Sequence, residues 1–257
     1  MQRAIKLRSV PFARKHWIQF LHKRGSSFFD KSNRDWETAW SQHNTPWETG
    51  ATTGALQGCV ESRLCSGKLS PDASVLIPGC GSGFDIIYLK KVGMQHVTAI
   101  EISSTALEIA ENNICGKLGT THPASIGVEL IQANFFSYRT TKKFDFIYDH
   151  LFFSAIELSA RIGWAISMKR LISSSGVLAT LIFPHFDPTR DDSDSLLVGP
   201  PYPVRVEDYM EVLTPLSFKV ESIEQVRLTI VLVCSNISRN IVIRSQIQSS
   251  RDEEGRY

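Results

Sequence analysis

The sequence predicts an α/β fold with a doubly wound, mostly parallel sheet, and three observations predict it. From residue 74 onward short β-branched runs alternate with helix-length amphipathic segments. The first run ends in a glycine-rich turn, Gly79-Cys80-Gly81-Ser82-Gly83. The 257 residues suit one large domain better than two ordinary ones. Continuous apolar strands separated by helices need a parallel sheet covered on both faces. Right-handed crossovers then give an open, doubly wound layer.

The expected strands are Ser74–Pro78, His96–Ile102, Val128–Ala133, Phe144–Tyr148 and Gly176–Phe183. Helices are expected over Asp85–Val92, Ser103–Lys117 and Ser154–Leu171. Ser103 or Ser104 caps the second of these, Glu108 lies in its early turns, and Gly116 or Gly119 ends it. The polar stretch Asp187–Ser195, bounded by Gly199-Pro200-Pro201, reads as a long loop, and long loops on such domains often act as lids. A helix near Val206–Leu213 and a strand near Lys219–Val226 follow, and the tail from Arg244 to Tyr257 is polar and expected to fray. The resulting division is a basic N-terminal extension or transit peptide over 1–30, one domain over 31–243 and a polar tail over 244–257.

Hydrophobic residues make up 42% and charged residues 21%, which is enough apolar side chain for a sizeable core. A net charge of +2 argues against nucleic acid as a partner. No apolar run reaches the roughly 18 residues that would span a bilayer, so no membrane role is expected. Cys59, Cys65, Cys80, Cys115 and Cys234 form no C-x-x-C pair, and no histidines stand at zinc spacing, so no metal is expected. Scattered thiols fit a reducing intracellular compartment. Residues 1–29 contain Arg3, Lys6, Arg8, Arg14 and Lys15 among interleaved apolar residues but no Asp or Glu. That composition fits a mitochondrial transit peptide or a basic tail on a cytoplasmic enzyme, and both stay open. A monomer is expected.

Glycines at 79, 81 and 83 let the backbone pass close beneath a ligand, although a tight strand–helix turn needs glycine too. Phe84 breaks the dinucleotide pattern G-x-G-x-x-G at its third glycine. S-adenosylmethionine has no pyrophosphate to seat on the helix and suits G-x-G-x-G. Glu101, at the end of the second strand, stands where an acid accepts hydrogen bonds from the ribose hydroxyls of an adenosine ligand. Asn134 is placed to meet the adenine amino group and Phe135 its ring, or the two are a turn residue and a core aromatic. The fourth strand ends in Asp149-His150-Leu151-Phe152-Phe153, outside the carboxyl ends of the sheet, where the methyl acceptor is expected. Trp36, Trp40 and Trp47 precede the first strand. They read either as core packing or as an aromatic cover whose π faces favour a sulfonium cation.

Taken together, W-x-x-x-W from Trp36 to Trp40, T-P-W-x-x-G from Thr45 to Gly50, "IPGCGSGFD", "FDFIYDHLFFSAIE" with Arg161 and Trp164, "GVLATLIFP" and "GPPYPV" resemble the thiopurine methyltransferase family. The likeness is strongest to its plant-type halide and thiol methyltransferase branch and runs from about Trp36 to about Gln225. It implies a seven-stranded class I methyltransferase fold, S-adenosylmethionine as donor and a small or anionic acceptor. The resemblance further implies that Trp36, Trp40, Trp47, Gly79, Glu101, Asn134 and Phe135 line the cofactor, with Arg161 near the acceptor. Glu101 and Asn134 each stand where that branch usually has Asp, His150 where it has Tyr, and Leu158 where it has Pro. Beyond Val226 the usual basic ending is missing, and the apolar Leu228–Cys234 reads either as a divergent edge strand or as an altered reading of the gene.

The expected reaction is an in-line displacement on the donor methyl by a thiol, bisulfide, thiocyanate or halide, sped chiefly by alignment and exclusion of water. Asp149, His150 and Arg161 are the expected catalytic residues. His150 accepts a thiol proton or shapes the site, and Arg161 draws in an anion or bonds a loop carboxylate. Phe152, Phe153 and Tyr202 are the expected acceptor wall. Methylation of aromatic thiols and an idle S-adenosylmethionine-binding protein are the alternatives, and an NAD oxidoreductase is disfavoured by Phe84.

Overall fold

In β1 (Ser74–Pro78) successive side chains must point to opposite faces, and Val75, Leu76 and Ile77 are all at most 1% exposed. A strand dry on both sides needs cover on both sides, and the computed structural model supplies it. It describes residues 35–184, 200–226 and 229–236. The expected extension over 1–30, the Asp187–Ser195 loop and the tail over 244–257 lie outside the described residues. Val75 and Ile77 pack with Leu56 and Val60 of α2 (Gly54–Cys65), with Ile86 and Leu89 of α3 (Phe84–Lys91), and with Ile114 of α4 (Ser104–Leu118). Leu76 packs on the other side with Trp164, Met168 and Leu171 of α6 (Arg161–Leu171) and Tyr209 and Leu213 of α7 (Val206–Leu213).

The sheet has seven strands in the order β3-β2-β1-β4-β5-β7-β6. The remaining strands are β2 (His96–Glu101), β3 (Val128–Gln132), β4 (Phe144–His150), β5 (Ile172–Ile182), β6 (Lys219–Val226) and β7 (Thr229–Ser235). β1 to β5 pair in parallel, whereas β7 runs antiparallel to both β5 and β6. The strand order reverses between β1 and β4, which opens a crevice at their carboxyl ends. The doubly wound, mostly parallel expectation is met.

Local chemistry explains where the sequence reading and the fold part. Residues 154–171 do not form one helix. Ile156 and Glu157 adopt extended backbone (ψ 153° and 152°), which separates the short α5 (Phe152–Ala155) from α6. The Ser154 carbonyl, free of a helical partner, accepts the amide of Tyr202 at 2.7 Å. β5 begins four residues before Gly176, because the register between Phe144 and Phe146 slips and leaves extra β5 residues beside β4. The stretch ending at Cys234 is no edge strand. β7 lies inside the sheet, and Ile230 to Cys234 are apolar because both their faces are buried. α2 leaves only a weak signal in the sequence, because its Gly54 and Gly58 weaken helix propensity. Its start is secured by Thr53, which accepts the Leu56 amide.

Candidate active site

The crevice holds a cavity of about 350 Å³, within the range of small-ligand sites. Its floor is the turn after β1. Gly79 and Gly81 both have positive φ (62° and 51°) and both line the cavity. A Cβ on Gly79 would stand 2.5 Å from the Phe152 ring, and one on Gly81 would stand 2.5 Å from Glu48 Oε1. Only glycine permits both the conformation and the approach. Gly83 is not in the wall. It is the left-handed N-cap of α3, and its missing Cβ lets α4 close in through Ala110. Its expected cofactor role thus becomes helix packing.

Glu101 ends β2 and is 7% exposed. Its Oε1 accepts the amides of Ile102 (2.8 Å) and Ser103 (3.1 Å), and its Oε2 accepts that of Gly81 (3.1 Å). Burial raises its pKa, while the Ser103, Gly81 and Ile102 amides pull it back. A carboxylate has about four lone-pair sites, so this one retains acceptor capacity toward the cavity.

The cover comes from α1 (Trp36–Ser41) and the turn behind it. Trp47 stands edge-on to Trp36 (5.4 Å) and to Trp40 (6.1 Å), and all three line the cavity. Asp35 caps α1 by accepting the Glu37 amide. Glu37 fastens the helix to the start of α4, where its carboxylate accepts the Ser103 hydroxyl (2.7 Å), the Thr105 amide (3.3 Å) and the Thr105 hydroxyl. Glu48 accepts a hydrogen bond from Ser82.

Asn134 and Phe135 also line the cavity, although Asn134 Oδ1 already accepts the Phe136 amide at 2.9 Å in an Asx turn. Phe152 closes this side, with its ring 5.1 Å from Phe135 and 6.2 Å from Phe136. His150 lines the cavity at the end of β4. Its Nδ1 lies 2.7 Å from Asp85 Oδ2 in the first turn of α3, and Asp85 also accepts the Thr52 hydroxyl. Burial lowers the His150 pKa, but Asp85, with help from Asp149 and Glu48, leaves it above the ordinary 6.5. Cys80 lines the wall as a neutral thiol, since burial and then Glu101 push it well above its usual range.

Besides Gly83, four expected site residues lie away from the cavity wall. Asp149 is fully buried. Its Oδ1 accepts the Phe152 and Phe153 amides and its Oδ2 the Trp164 indole, so it builds the turn that aims His150. Phe153 is core, stacked on Tyr209 at 4.0 Å. Arg161 is 8% exposed, and its guanidinium lies 4.6 Å over the Phe153 ring. Tyr202 is not in the wall either; its neighbours Pro200 and Pro201 are. Sequence reasoning missed Glu48, Asp85 and Phe136. Asp85 offered one signal, an acid in the first turn of the helix that follows the glycines.

These residues fit S-adenosylmethionine. Glu48, Asp85, Glu101 and three indoles suit a cationic ligand, and two glycines give it room. No Lys or Arg stands among the described lining residues to meet a pyrophosphate, which disfavours a dinucleotide. Among the described residues no group of His, Cys, Asp and Glu is placed to hold a metal, and no helix is long and apolar enough to cross a membrane.

Residues 31–239 match the model of the thiopurine S-methyltransferase (TPMT) family. The chain is 34% identical over 194 residues to "Probable thiol methyltransferase 2" of Arabidopsis thaliana, which covers 76% of this chain and 77% of that one. It is 34% identical over 190 residues to thiocyanate methyltransferase 1 of the same plant, covering 74% and 75%. Among solved structures, magnesium protoporphyrin IX methyltransferase from Synechocystis PCC 6803, with bound SAH, superposes with a TM-score of 0.57. The identity there is 14%, over 87% of this chain and 94% of that one, so it speaks for the fold alone. The glycine floor, the strand-end acid and the indole cover agree with the family match: this chain belongs to the thiopurine S-methyltransferase family of S-adenosylmethionine-dependent methyltransferases.

Proposed function

We propose that this chain methylates a small sulfur or halide nucleophile, namely a thiol, bisulfide, thiocyanate or iodide. One observation carries the reading. The cavity is lined by carboxylates and indoles around Gly81 and by the apolar Phe135, Phe136, Phe152 and Pro201, with His150 among its lining residues. S-adenosylmethionine, when bound, supplies an activated methyl on a cationic sulfur. The residues do the rest by placement. Trp36, Trp40 and Trp47 shed water and favour positive charge, and Glu101 and Asn134 offer acceptors to a ribose and an adenine, with Phe135 packing on the ring. Phe152 keeps the acceptor side dry, which raises the reactivity of a soft nucleophile by stripping its hydration. Holding two reactants in line can supply about 7–11 kcal/mol. The plant relatives named for thiol and thiocyanate support the same acceptor class.

A second reading, methylation of an aromatic thiol, is favoured by the ring-lined wall at Phe135, Phe136 and Phe152. The test is methyl transfer from labelled donor to bisulfide, thiocyanate, iodide and an aryl thiol, beside calorimetry with S-adenosylhomocysteine. Turnover of the small acceptors over the aryl thiol is expected. Binding of S-adenosylhomocysteine without turnover of any of the four would overturn the reading. On this reading the chain works as a monomer in the cytoplasm or the mitochondrion. The mass of the mature N-terminus separates the two compartments: an intact first residue speaks for the cytoplasm.

A further inference from the structure

We propose that Asp85 and His150 form a proton-accepting pair that specialises the site for a neutral, protic thiol over a preformed anion such as thiocyanate. The proposal rests on the methyl-transfer reading above and adds a positioning residue and an acceptor preference to it. Its ground is the geometry of two residues 65 positions apart. Asp85 Oδ2 sits 2.7 Å from Nδ1 of His150, and a carboxylate there requires the proton on Nδ1 and leaves Nε2 as the basic nitrogen. Asp85 is itself held by the Thr52 hydroxyl and by its place in the first turn of α3, where helix geometry favours a negative charge. The His150 side chain is 21% exposed and lines the cavity, so its ring is reachable by an acceptor.

The surroundings set the preference. The charged or titratable groups that act on His150 are Asp85, Asp149 and Glu48, with the Tyr148 ring 5.9 Å away. All are acids, and burial holds the Tyr148 hydroxyl neutral. Glu101 lines the same cavity. An anion entering this cavity meets carboxylates, whereas a neutral thiol does not. An alkyl thiol of cysteine type keeps its proton at neutral pH, with a pKa of about 8.5, and so needs a base to become the nucleophile. In the step inferred here the S–H proton moves to Nε2 of His150. The sulfur forms the new bond to the donated methyl, and the electron pair of the donor's S–C bond stays on the donor sulfur, whose positive charge it cancels. The imidazolium afterwards gives its proton to water. Thiocyanate has no proton to lose and gains nothing from the pair.

Two measurements test this on the full-length chain. Imidazole titration by NMR, with no donor or acceptor present, should find the His150 pKa above 6.5 in the wild type and clearly lower in Asp85→Asn, where only Asp149 and Glu48 still oppose burial. In turnover, the ratio of kcat for an alkyl thiol to kcat for thiocyanate should fall roughly 100-fold in Asp85→Asn and in His150→Gln, the scale of a lost general base. His150→Gln keeps a hydrogen-bond donor for Asp85 and guards against misfolding of the first variant. Equal imidazole pKa values in wild type and Asp85→Asn, or equal loss for both acceptors, would overturn the proposal. A wild type that binds S-adenosylhomocysteine yet turns over neither acceptor would instead defeat the methyl-transfer reading, while the titration would still judge the pair.

Discussion

One oxygen of Asp149 accepts the Trp164 indole N–H at 2.7 Å, which ties the end of β4 to the middle of α6 beneath the cavity. The other oxygen holds the Phe152 and Phe153 amides (2.9 and 3.3 Å). The carboxyl is wholly buried, and burial pushes its pKa up to about 6 against the pull of these donors and of His150. A raised carboxyl pKa means that the folded chain holds the proton more tightly than the unfolded chain does. The stability that proton brings is therefore fully present below about pH 4 and lost as pH rises through 6. Relative to Asp149→Asn, the wild type should lose up to roughly 3 kcal/mol across that window. Urea unfolding of both proteins from pH 4 to 7 checks this, and a difference that stays flat with pH would refute it. Affinity for S-adenosylhomocysteine should change little, because the side chain lies off the cavity wall.

Glycine substitutions should separate the floor from the frame. Gly81→Ala must hold a left-handed backbone, at about 1–2 kcal/mol, and also drives a methyl against Glu48 and toward Trp40. Calorimetry should show S-adenosylhomocysteine bound at least tenfold more weakly. In Gly83→Ala the new methyl meets Ala110 at 3.1 Å. The expected outcome is a lower thermal midpoint with nearly wild-type affinity in the folded fraction.

Glu101→Gln keeps the shape but puts an amide donor among the N–H groups of Gly81, Ile102 and Ser103. Hydrogen bonds to charged groups contribute about 1.5–3 kcal/mol, so S-adenosylhomocysteine should bind roughly 10- to 100-fold more weakly. NAD should bind neither protein in the same titration.

Glu37 predicts behaviour in acid. The Thr105 and Ser103 hydroxyls bring its pKa down to about 2 from 4.5. A lowered carboxyl pKa adds stability above pH 4.5 that is lost as pH falls through 2. Tryptophan fluorescence should therefore report a docked α1 well below pH 4.5 in the wild type. In Glu37→Gln the same probe should show a loosened indole cluster already at pH 7.

Much of this was legible in the chain because strand and turn signals are local. Val75, Leu76 and Ile77 followed by glycines announce a buried strand and its turn, and the strand-end position of Glu101 follows from counting. Asp149 and Phe153 were misplaced for a physical reason. Sequence places them at the mouth of the sheet, but the left-handed Leu151 (φ 64°) turns the chain there, so Phe152 faces the cavity and Phe153 the core. The Asp85–His150 contact was out of reach, because it depends on how α3 docks beside β4, and nothing near either residue encodes the other.

The placement of β7 bears on how the chain is made. The last strand among the described residues inserts between β5 and β6 rather than adding at a margin. Until residue 235 leaves the ribosome, β5 carries an open row of backbone donors and acceptors, a surface on which foreign strands can assemble. A nascent chain of this design stays exposed to aggregation from the emergence of β5 until that of β7, and a premature stop before Thr229 would deprive β6 of its partner strand as well.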